Sequence, residues 1–503
     1  MTELLLGIDI GTGSCKCCLV SADGEVVGRA TQEYRPHLPK PGWVEQPPEE
    51  WYRAVVSCLR QMEERDGLRP DQVGAVGVTG QMRGPTFLDA KGSPVRASIL
   101  WNDQRCEREV AEIKGCYAEP LRRITHNPLN AMCTLPKLLW VKRHEPELWE
   151  KTATVLYPKD YVNWRLTGQR GTDLSDASGS SFYDLERQTW SDEILGDWDL
   201  APEKLPAIRA STTVAGAVSR RAQQEMGLRE GVPVAAGGSD ATVELLAIGV
   251  KSEQQCKIRL GTSGALSTVV DRLAGRGEAG YYVWSYLQAD RWMIDLNTRT
   301  CADATVWLRE VFYQDARSSG AAYEAIGQEA GRVAAGAEGL LFHPYLLGED
   351  APYWQPHLRG SFFGLTRAHG RAHLARAVLE GTGFALRDAR SALGELAAGF
   401  REYRFVGGGT RNATWLSIVA DILGVDGKVA TQVDASVGAA MVAGVAAGVF
   451  ADLGQAAARC SRVEGAVQHN PENHKAYSLL FERYVTVKKV LDAAYDGGDH
   501  DEP

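Results

Sequence analysis

Residues 4–20 have the sequence LLLGIDIGTGSCKCCLV, in which an apolar run reaches a lone acid and a second apolar run follows a short turn. Asp9 stands where a buried strand would end. Gly11, Thr12 and Gly13 allow a tight turn whose backbone N–H groups can face an anion. At the mouth of this turn, Asp9 is suited to organising a divalent metal that carries phosphates. Taken alone, the stretch is equally consistent with a β-hairpin that has a polar tip.

Length and composition describe a globular protein of several domains. The chain has 503 residues, which is too long for a single hydrophobic core. Its hydrophobic fraction of 44% is ordinary for a globular protein. Its formal net charge of −9 argues against a nucleic-acid surface, because such surfaces depend on Lys and Arg. The ten cysteines are scattered and indicate neither a zinc site nor a disulfide framework. Cys15, Cys17 and Cys18 are expected to be reduced strand residues.

The apolar segments do not indicate a membrane protein. Residues 1–3 contain no basic segment of the kind that opens a secretory signal. The longest apolar run, Val437–Phe450, spans 14 residues, which is too short to cross a bilayer and is typical of a buried helix. We therefore expect a cytoplasmic protein that binds neither membrane nor nucleic acid.

Two strands of the N-terminal half end in clusters of polar residues. The small apolar strand Val73–Thr79 runs into residues 80–84, GQMRG, and the strand that ends at Leu100 is followed by residues 101–103, WND. Polar groups at the carboxyl ends of strands in an open α/β sheet are favoured ligand contacts. These segments therefore predict a ligand-binding edge of the sheet.

A further carboxylate lies at a junction between a strand and a helix. The strand Val232–Ala236 runs into Gly237 and Gly238, and Asp240 then precedes a helix predicted over residues 241–249. Two glycines allow a substrate to approach the backbone closely. The alternative is that Asp240 only caps the helix, which Asp does readily. A cap alone would not require the two glycines, so we favour a functional carboxylate.

The strand–turn–strand pattern of residues 4–20 occurs again in the second half. Residues 255–260 lead into Gly-Thr-Ser-Gly at 261–264, and an apolar run follows. One such hairpin in each half predicts a duplicated fold whose turns face each other across a cleft. A further glycine-rich turn, GGGTRN at 407–412, precedes a helix predicted over residues 413–423. Its glycines suit the close approach of a flat ring or a phosphate, and Asn412 is suited either to capping the helix or to binding a ligand.

In their order, these motifs resemble the FGGY family of carbohydrate kinases, within the actin, hexokinase and Hsp70 ATPase superfamily. The resemblance extends from Gly7 to about Phe450 and is strongest to the members that phosphorylate xylulose. In the N-terminal half it is carried by residues 80–82, GQM; 99–103, ILWND; 136–140, PKLLW; 158–161, PKDY; and 173–179, DLSDASG. In the C-terminal half it is carried by residues 260–264, LGTSG; 359–365, RGSFFGL; and 376–381, RAVLEG.

The resemblance implies an α/β fold of two ribonuclease-H-like domains around a central cleft, hinged near residue 250. Residues 1–247 would form the N-terminal domain, on the sugar and phosphate side. Residues 248–490 would form the C-terminal domain, on the nucleotide side. Residues 491–503 are an acidic tail that we expect to be disordered. A homodimer is also what the resemblance implies.

The resemblance further implies an ATP-dependent sugar kinase, which transfers the γ-phosphoryl group of Mg-ATP to a hydroxyl of a ketose such as D-xylulose. Asp240 falls at the position of the catalytic base, and Asp9 at the position that organises Mg²⁺ and the phosphates. The implied ATP-binding residues are Thr12, Gly261, Thr262, Gly408 and Asn412. The implied sugar-binding residues are Gln81, Met82, Arg83, Trp101, Asn102 and Asp103, together with Asp240.

Two positions depart from the pattern usual in the xylulose-phosphorylating members. Arg83 stands where they have His, and Ala241 where they have Asn after the catalytic Asp. Arg is longer, always charged, and shaped to bind a carboxylate or phosphate at two points. The alternative substrates are therefore another ketose such as ribulose, a polyol such as glycerol, or a sugar acid such as gluconate, unless Arg83 turns away to pair with an acid such as Asp103. The alternative class is a non-catalytic nucleotide-binding sensor, which would not need Asp240.

Overall fold

The computed structural model describes residues 4–273, 280–316, 318–430 and 433–496, which form an α/β structure on two seven-stranded sheets. The strands of the N-terminal half are β1 (Leu4–Ile10), β2 (Ser14–Val20), β3 (Val26–Glu33), β4 (Glu45–Gln46), β5 (Val73–Gly80), β6 (Thr86–Leu88), β7 (Ser98–Ile99), β8 (Thr154–Leu156), β9 (Gly171–Asp173), β10 (Tyr183–Asp184), β11 (Thr189–Trp190), β12 (Ala207–Arg209), β13 (Val214–Ala217), β14 (Pro233–Ala235) and β15 (Gly238–Ser239). Its helices are α1 (Pro48–Asp66), α2 (Glu107–Thr125), α3 (Thr134–His144), α4 (Pro146–Lys151), α5 (Pro158–Thr167), α6 (Leu174–Ser178), α7 (Asp192–Asp197), α8 (Arg220–Met226) and α9 (Asp240–Ala247).

The C-terminal half continues with a second set of strands and helices. Its strands are β16 (Gln255–Leu260), β17 (Gly264–Val270), β18 (Tyr282–Ser285), β19 (Trp292–Thr298), β20 (Leu341–His343), β21 (Ser361–Phe363), β22 (Glu402–Val406), β23 (Gly427–Val429) and β24 (Gly465–Val467). Its helices are α10 (Ala302–Phe312), α11 (Ser319–Gly331), α12 (Arg371–Ser391), α13 (Glu395–Gly399), α14 (Ala413–Leu423), α15 (Ala435–Ala446), α16 (Leu453–Cys460) and α17 (Pro471–Asp496). Short 3-10 turns lie at Pro70–Gln72, Pro202–Lys204, Ala337–Gly339 and Gly408–Arg411.

The N-terminal sheet is organised around β1. Its order is β13-β14-β5-β1-β2-β3, and β15 also pairs with β5. β1 runs antiparallel to β2, with Asp9 opposite Lys16, and parallel to β5, with Asp9 opposite Thr79. Every residue of β1 is buried, because helices cover both faces of the sheet. The hairpin predicted at residues 4–20 is confirmed.

The C-terminal sheet repeats this arrangement, in the order β18-β19-β17-β16-β22-β23-β24. β16 runs antiparallel to β17 and parallel to β22, as β1 does to β2 and β5. The duplication predicted from the two Gly-Thr turns is therefore confirmed. The helix predicted over residues 413–423 is α14, with the same bounds.

Helices from both halves of the chain cover the N-terminal sheet. On one face, α1 buries Trp51, Val55 and Met62 at the spacing of an amphipathic helix. On the other face, α15 packs against β1 and β5, with α9 beside it. Because α15 belongs to the C-terminal half, the two halves share one of their hydrophobic cores.

The contact between α15 and its neighbours depends on glycine. An added Cβ at Gly7 would lie 1.8 Å from the carbonyl oxygen of Ser436, and one at Gly77 would lie 2.0 Å from that of Ala439. A Cβ at Gly438 of the helix would lie 2.1 Å from the carbonyl oxygen of Val243. Any side chain at these positions would displace the helix, so the backbones must touch directly.

The apolar run Val437–Phe450 forms most of α15, in which residues 436–444 are buried. The predicted buried helix is therefore confirmed over residues 437–446, and residues 447–450 follow its C-terminal end. None of the helices in the described ranges combines the length and the apolar character that crossing a membrane requires.

The last helix extends further than the sequence predicts. α17 continues to Asp496, so residues 491–496 are helical, although they fall in the segment expected to be a disordered tail. Lys488 lies 2.5 Å from Asp492 one turn later, and such i,i+4 pairs support a helix. The rest of the expected tail, residues 497–503, lies outside the described residues.

We expect Gly77→Ala to lower the free energy of unfolding by about 1–3 kcal/mol, because the new methyl group would force α15 away from β5. The matched control is Gly115→Ala on α2, where an added Cβ meets nothing within 4 Å. That control should be neutral or slightly stabilising, because Ala has the higher helix propensity. Urea denaturation followed by circular dichroism measures both. Equal stabilities for the two variants would contradict the packing described.

Candidate active site

Three parallel strands end side by side at one edge of the N-terminal sheet. Thr79 of β5 lies opposite Asp9 of β1 and opposite Gly238 of β15. Its hydroxyl also donates a hydrogen bond to the carbonyl oxygen of Gly238 (2.6 Å), which fixes the short strand β15 on β5. Asp240 follows β15 directly, so the two predicted carboxylates, Asp9 and Asp240, emerge at the same sheet edge.

Asp9 is 8% exposed, and its carboxylate makes no side-chain hydrogen bond with any of the described residues. Burial and the nearby Asp240 raise the pKa of Asp9 to about 7. The ionised form is therefore disfavoured until a positive charge arrives. A carboxylate in this state suits a divalent cation, whose field would restore the ionised form.

Asp240 is the first residue of α9, but it does not act as the helix cap. The N-cap position belongs to Ser239, and the Asp240 carboxylate accepts a hydrogen bond from the N–H of Ala241 (2.7 Å). Burial, with a smaller effect of Glu244, raises the pKa of Asp240 to about 6, against the opposing effects of the Ala241 N–H and the Arg83 guanidinium. A partly exposed carboxylate with this pKa is matched to proton transfer near neutral pH.

A buried charged network supports the Asp240 loop from below. The N–H of Ser239 donates to the hydroxyl of Ser175 (2.8 Å), and this hydroxyl donates to Asp173 (2.5 Å). Lys159 lies 3.0 Å from Asp173 and 3.3 Å from Asp176, and all three charged side chains are fully buried. In the sequence, Lys159, Asp173, Ser175 and Asp176 stand out only as parts of family motifs, which do not reveal a role at the site.

The Gly-Thr turn is connected to both of the other polar strand ends. The Thr12 hydroxyl donates to the side-chain oxygen of Gln81 (3.1 Å) and accepts from the indole N–H of Trp101 (2.9 Å). The Tyr34 hydroxyl donates to the carbonyl oxygen of Gly11 (2.7 Å), which holds the turn from behind. The turn and the two predicted sugar-binding segments are therefore one hydrogen-bonded unit.

Arg83 points into the site and does not pair with Asp103. Its guanidinium carbon lies 5.3 Å from the ring centre of Tyr282 and 5.5 Å from that of Trp284, within cation–π range. Asp103 instead makes a buried ion pair with Arg105 (2.7 Å). Arg83 is 7% exposed and has no carboxylate within 4.0 Å among the described residues, so its hydrogen-bonding groups remain available to a ligand.

The two rings below Arg83 belong to the C-terminal sheet, and no motif in the sequence points to them. Tyr282 and Trp284 stack with their ring centres 5.3 Å apart on β18. Asn127 of the N-terminal half accepts from the N–H of Val283 (2.8 Å) and donates to its carbonyl oxygen (2.6 Å), which ties β18 to that half. Aromatic residues two apart on a strand share a face, but their partner could not be read from the sequence.

Arg83 also has a strained backbone, which Lys137 supports. Its φ of 65° is unusual for a large side chain and marks a constrained position. The fully buried Lys137 ammonium contacts the carbonyl oxygens of Met132 (2.7 Å), Trp101 (3.4 Å) and Arg83 (3.5 Å). Burial lowers the pKa of Lys137 to about 8. The lysine thus joins three loop carbonyls, a role that its place in the PKLLW motif did not reveal.

The remaining predicted sugar-binding residues have different surroundings. Met82 is 9% exposed, and its methyl group would lie 2.9 Å from a Cβ added at Gly179. The side-chain oxygen of Asn102 is buried and has no hydrogen-bond partner among the described residues, so it is free to accept from a ligand. The Asp103 carboxylate is fully buried and is occupied by Arg105.

A separate cavity of about 820 Å³ lies at the glycine-rich turns of the C-terminal half. Gly261, Thr262, Gly408 and Asn412, four of the five predicted ATP-binding residues, line it. The fifth, Thr12, lies on the N-terminal sheet. Asn412 also caps α14, because its side-chain oxygen accepts from the N–H of Trp415 (3.0 Å). Capping and lining the cavity are therefore combined in one residue.

Comparison with known proteins identifies the family. The model of the FGGY family of carbohydrate kinases matches with its N-terminal domain over residues 4–247 and its C-terminal domain over residues 256–447. The xylulose kinase of Escherichia coli K12 is 35% identical over 449 residues, covering 88% of this chain and 90% of that protein. The crystal structure of xylulose kinase from Rhodospirillum rubrum is similar with a TM-score of 0.91 and 28% identity, covering 98% of this chain and 100% of that one. That of gluconate kinase from Lactobacillus acidophilus has a TM-score of 0.90 and 26% identity, covering 99% of each chain.

The chain belongs to the FGGY family of carbohydrate kinases. It is a sugar kinase with ATP as its co-substrate, and the predicted two-domain fold of the actin and hexokinase type is confirmed. The alternative of a non-catalytic sensor is therefore not supported.

Asp9→Asn should stabilise the ligand-free protein more at pH 8 than at pH 5. The folded pKa of Asp9, about 7, lies above the unfolded value of about 4, so its contribution to stability is present at low pH and is lost as the pH rises to about 7. Asn avoids that loss. We expect the melting temperature to exceed that of the wild type by a few degrees at pH 8, with a smaller difference at pH 5.

Thermal unfolding across this pH range provides the measurement, and Asp23→Asn, on an exposed turn, is the control. A difference between Asp9→Asn and the wild type that does not change with pH would contradict the electrostatic description of Asp9.

Proposed function

We propose that this enzyme phosphorylates the ketose D-xylulose, with Asp240 as general base. The observation that carries the proposal is the pair of carboxylates, Asp9 and Asp240, at the ends of β1 and β15, each with a raised pKa, and Asp240 contributes to the raised pKa of Asp9. Phosphoryl transfer to an alcohol requires one carboxylate to accept a proton and another to organise the metal. The names of the relatives support xylulose as the acceptor.

Asp240 would act on the acceptor hydroxyl. As the hydroxyl oxygen forms its bond to the γ-phosphorus, the bond from that phosphorus to ADP breaks, and the hydroxyl proton passes to the Asp240 carboxylate. A pKa of about 6 leaves this group ionised at neutral pH yet basic enough to accept the proton. The network of Ser175, Asp173 and Lys159 would keep the loop in position during this step.

Asp9 would hold Mg²⁺, and the free state of its carboxylate supports this assignment. Bound Mg²⁺ neutralises phosphate charge and orients the γ-phosphoryl group. Thr12 and the backbone of its turn would contact the phosphates from the same side, because backbone N–H groups in such turns favour anions.

The nucleotide would occupy the cavity of the C-terminal half. A volume of about 820 Å³ is ample for a nucleotide, and the glycines at 261 and 408 leave its walls open to a flat ring or a phosphate. Gly261 and Thr262 would face the phosphates, and Gly408 and Asn412 the adenosine. We accordingly propose a sugar-side domain over residues 1–247 and a nucleotide-side domain over residues 248–490.

The sugar would lie between the polar strand ends of the N-terminal half. Gln81, Met82, Arg83, Trp101 and Asn102 would surround it, with Asn102 accepting a hydroxyl through its unpartnered oxygen. For Asp103 we propose a supporting role, because Arg105 already occupies its carboxylate.

A sugar acid such as gluconate is the second candidate substrate, and Arg83 is the observation that favours it. A guanidinium that is nearly buried, without an acidic partner among the described residues, can bind a carboxylate at two points. The structural similarity to a gluconate kinase supports the same alternative.

We expect Asp240→Asn to lower kcat by about 10²- to 10⁴-fold, the range for a lost general base. Sugar binding, measured by calorimetry, should persist, because Asn keeps the shape of the side chain. In the wild type, kcat/KM for the sugar should fall below about pH 6 as Asp240 becomes protonated. Asp23→Asn serves as the remote control. Near-normal turnover by purified Asp240→Asn would rule out the assignment of the base.

A panel of D-xylulose, ribulose, glycerol and gluconate in an ADP-release assay separates the two candidate substrates. We expect the highest kcat/KM with D-xylulose. Arg83→His should then change the kcat/KM for xylulose by less than about tenfold, since a neutral hydroxyl can be bound by either side chain. Higher kcat/KM with gluconate, abolished selectively by Arg83→His, would instead establish the sugar acid as substrate.

A further inference from the structure

Three cysteine thiols meet behind the Gly-Thr turn. Cys15 and Cys17 lie two residues apart on β2 and face the same side, and Cys58 comes from α1, which packs on that side. The sulfurs of Cys15 and Cys17 are 3.8 Å apart, and all three sulfurs lie within 4.8 Å of one another. None of the three residues is more than 1% exposed. From the sequence, Cys15 and Cys17 are expected to be reduced strand residues, and the scattered cysteines indicate no zinc site.

The surroundings of the three thiols are apolar. They belong to the core formed with Ile10 and Ala30 and with the α1 side chains, among them Trp51 and Val55. The Cys58 thiol donates to the carbonyl oxygen of Cys15 (3.7 Å), and the side-chain ligands grouped here among the described residues are all sulfurs, which favours soft, sulfur-seeking atoms. It also disfavours any complex that carries net charge, because an unpaired charge is costly to bury.

We propose that Cys15, Cys17 and Cys58 form a binding site for trivalent arsenic, supplied as arsenite. Arsenous acid, As(OH)₃, is neutral at pH 7, so binding does not require a charge to enter the core. Each of its three hydroxyl groups leaves as water with one thiol proton while a sulfur–arsenic bond forms. No atom changes oxidation state, and the As(SR)₃ product is neutral. Three thiolates on Zn²⁺ or Cu⁺ would leave a net negative charge in the core, so electroneutrality selects the trivalent element.

The geometry requires only a small contraction. Bonds of about 2.3 Å, the length between zinc and thiolate sulfur, hold the sulfurs on a pyramidal centre with angles of about 95° about 3.4 Å apart. The sulfurs of Cys15 and Cys17, 3.8 Å apart, therefore need to approach by only a few tenths of an ångström. Cys58 lies on a helix that packs on β2 and β3 rather than pairing with them, so its sulfur can approach with little change in the sheet.

Arsenic bound here would affect the phosphate side of the cleft. Cys15 pairs with Ile10 across the hairpin, and the N–H of Tyr34 donates to Gly13 O (3.0 Å) while its hydroxyl donates to Gly11 O. Fixing Cys15 to α1 would therefore fix the base of the Gly-Thr turn. Binding itself does not depend on which sugar the enzyme uses, so it can be tested without activity.

Native mass spectrometry of the full chain, in buffer free of thiol reagents and treated with sodium arsenite, provides the test. We expect one arsenic atom per chain with the loss of three hydrogens, and a new near-ultraviolet absorption from the sulfur–arsenic bonds. Cys17→Ala should lose that adduct or weaken its half-saturation by about tenfold or more, because only two thiols remain. Cys58→Ala should do the same, which provides a second variant if the first fails to fold.

Cys18→Ala is the matched control. Cys18 is the next residue on β2 and is equally buried, but it faces the opposite core, with Leu5 and Val20. This variant should bind arsenic as the wild type does. Absence of the adduct in the wild type, an undiminished adduct in Cys17→Ala and Cys58→Ala, or its loss in Cys18→Ala would each overturn the proposal.

Discussion

The backbone contact between α15 and the strands β1 and β5 is the constraint on which the site depends. Gly7 and Gly77 let the helix lie directly on the strands that end at Asp9 and at the turn of residues 80–84. Because α15 comes from the C-terminal half, the same contact anchors that half to the sheet edge where the carboxylates emerge. Two carboxylates on different strands act together only if the strands keep their register, and the tight packing of α15 preserves it.

The carboxylates at this edge are not fully compensated by positive charge in the ligand-free protein. Burial raises the pKa of both Asp9 and Asp240, Asp240 raises the pKa of Asp9 further, and the Arg83 guanidinium lowers the pKa of Asp240 only in part. Such a site gains most from ligands that bring positive charge to Asp9 and a proton donor to Asp240. The Thr12, Gln81 and Trp101 hydrogen bonds connect the Gly-Thr turn to the neighbouring loops, so the same few contacts fix the shape of this edge.

Local sequence signals predicted the hairpins, α14 and the two glycine turns at the C-terminal cavity, because glycine turns and strand ends are features of neighbouring residues. Contacts between distant segments were not predictable. Nothing in the sequence joins Arg83 to the rings of β18, or Lys137 to the carbonyls of three loops. Asp103 could not be assigned from the sequence for another reason. A polar residue at a strand end can bind either a ligand or a neighbouring side chain, and Asp103 pairs with Arg105.

The position of β18 has a thermodynamic consequence. This strand belongs to the C-terminal sheet, yet its rings form a wall beside Arg83, and Asn127 of the N-terminal half is hydrogen-bonded to it. Any ligand that steadies the C-terminal sheet therefore also steadies the rings beside Arg83. Linkage makes such an effect reciprocal: the free energy by which one ligand favours the other is the same in both directions. Two ligands that bind on either side of this strand would therefore be coupled through it.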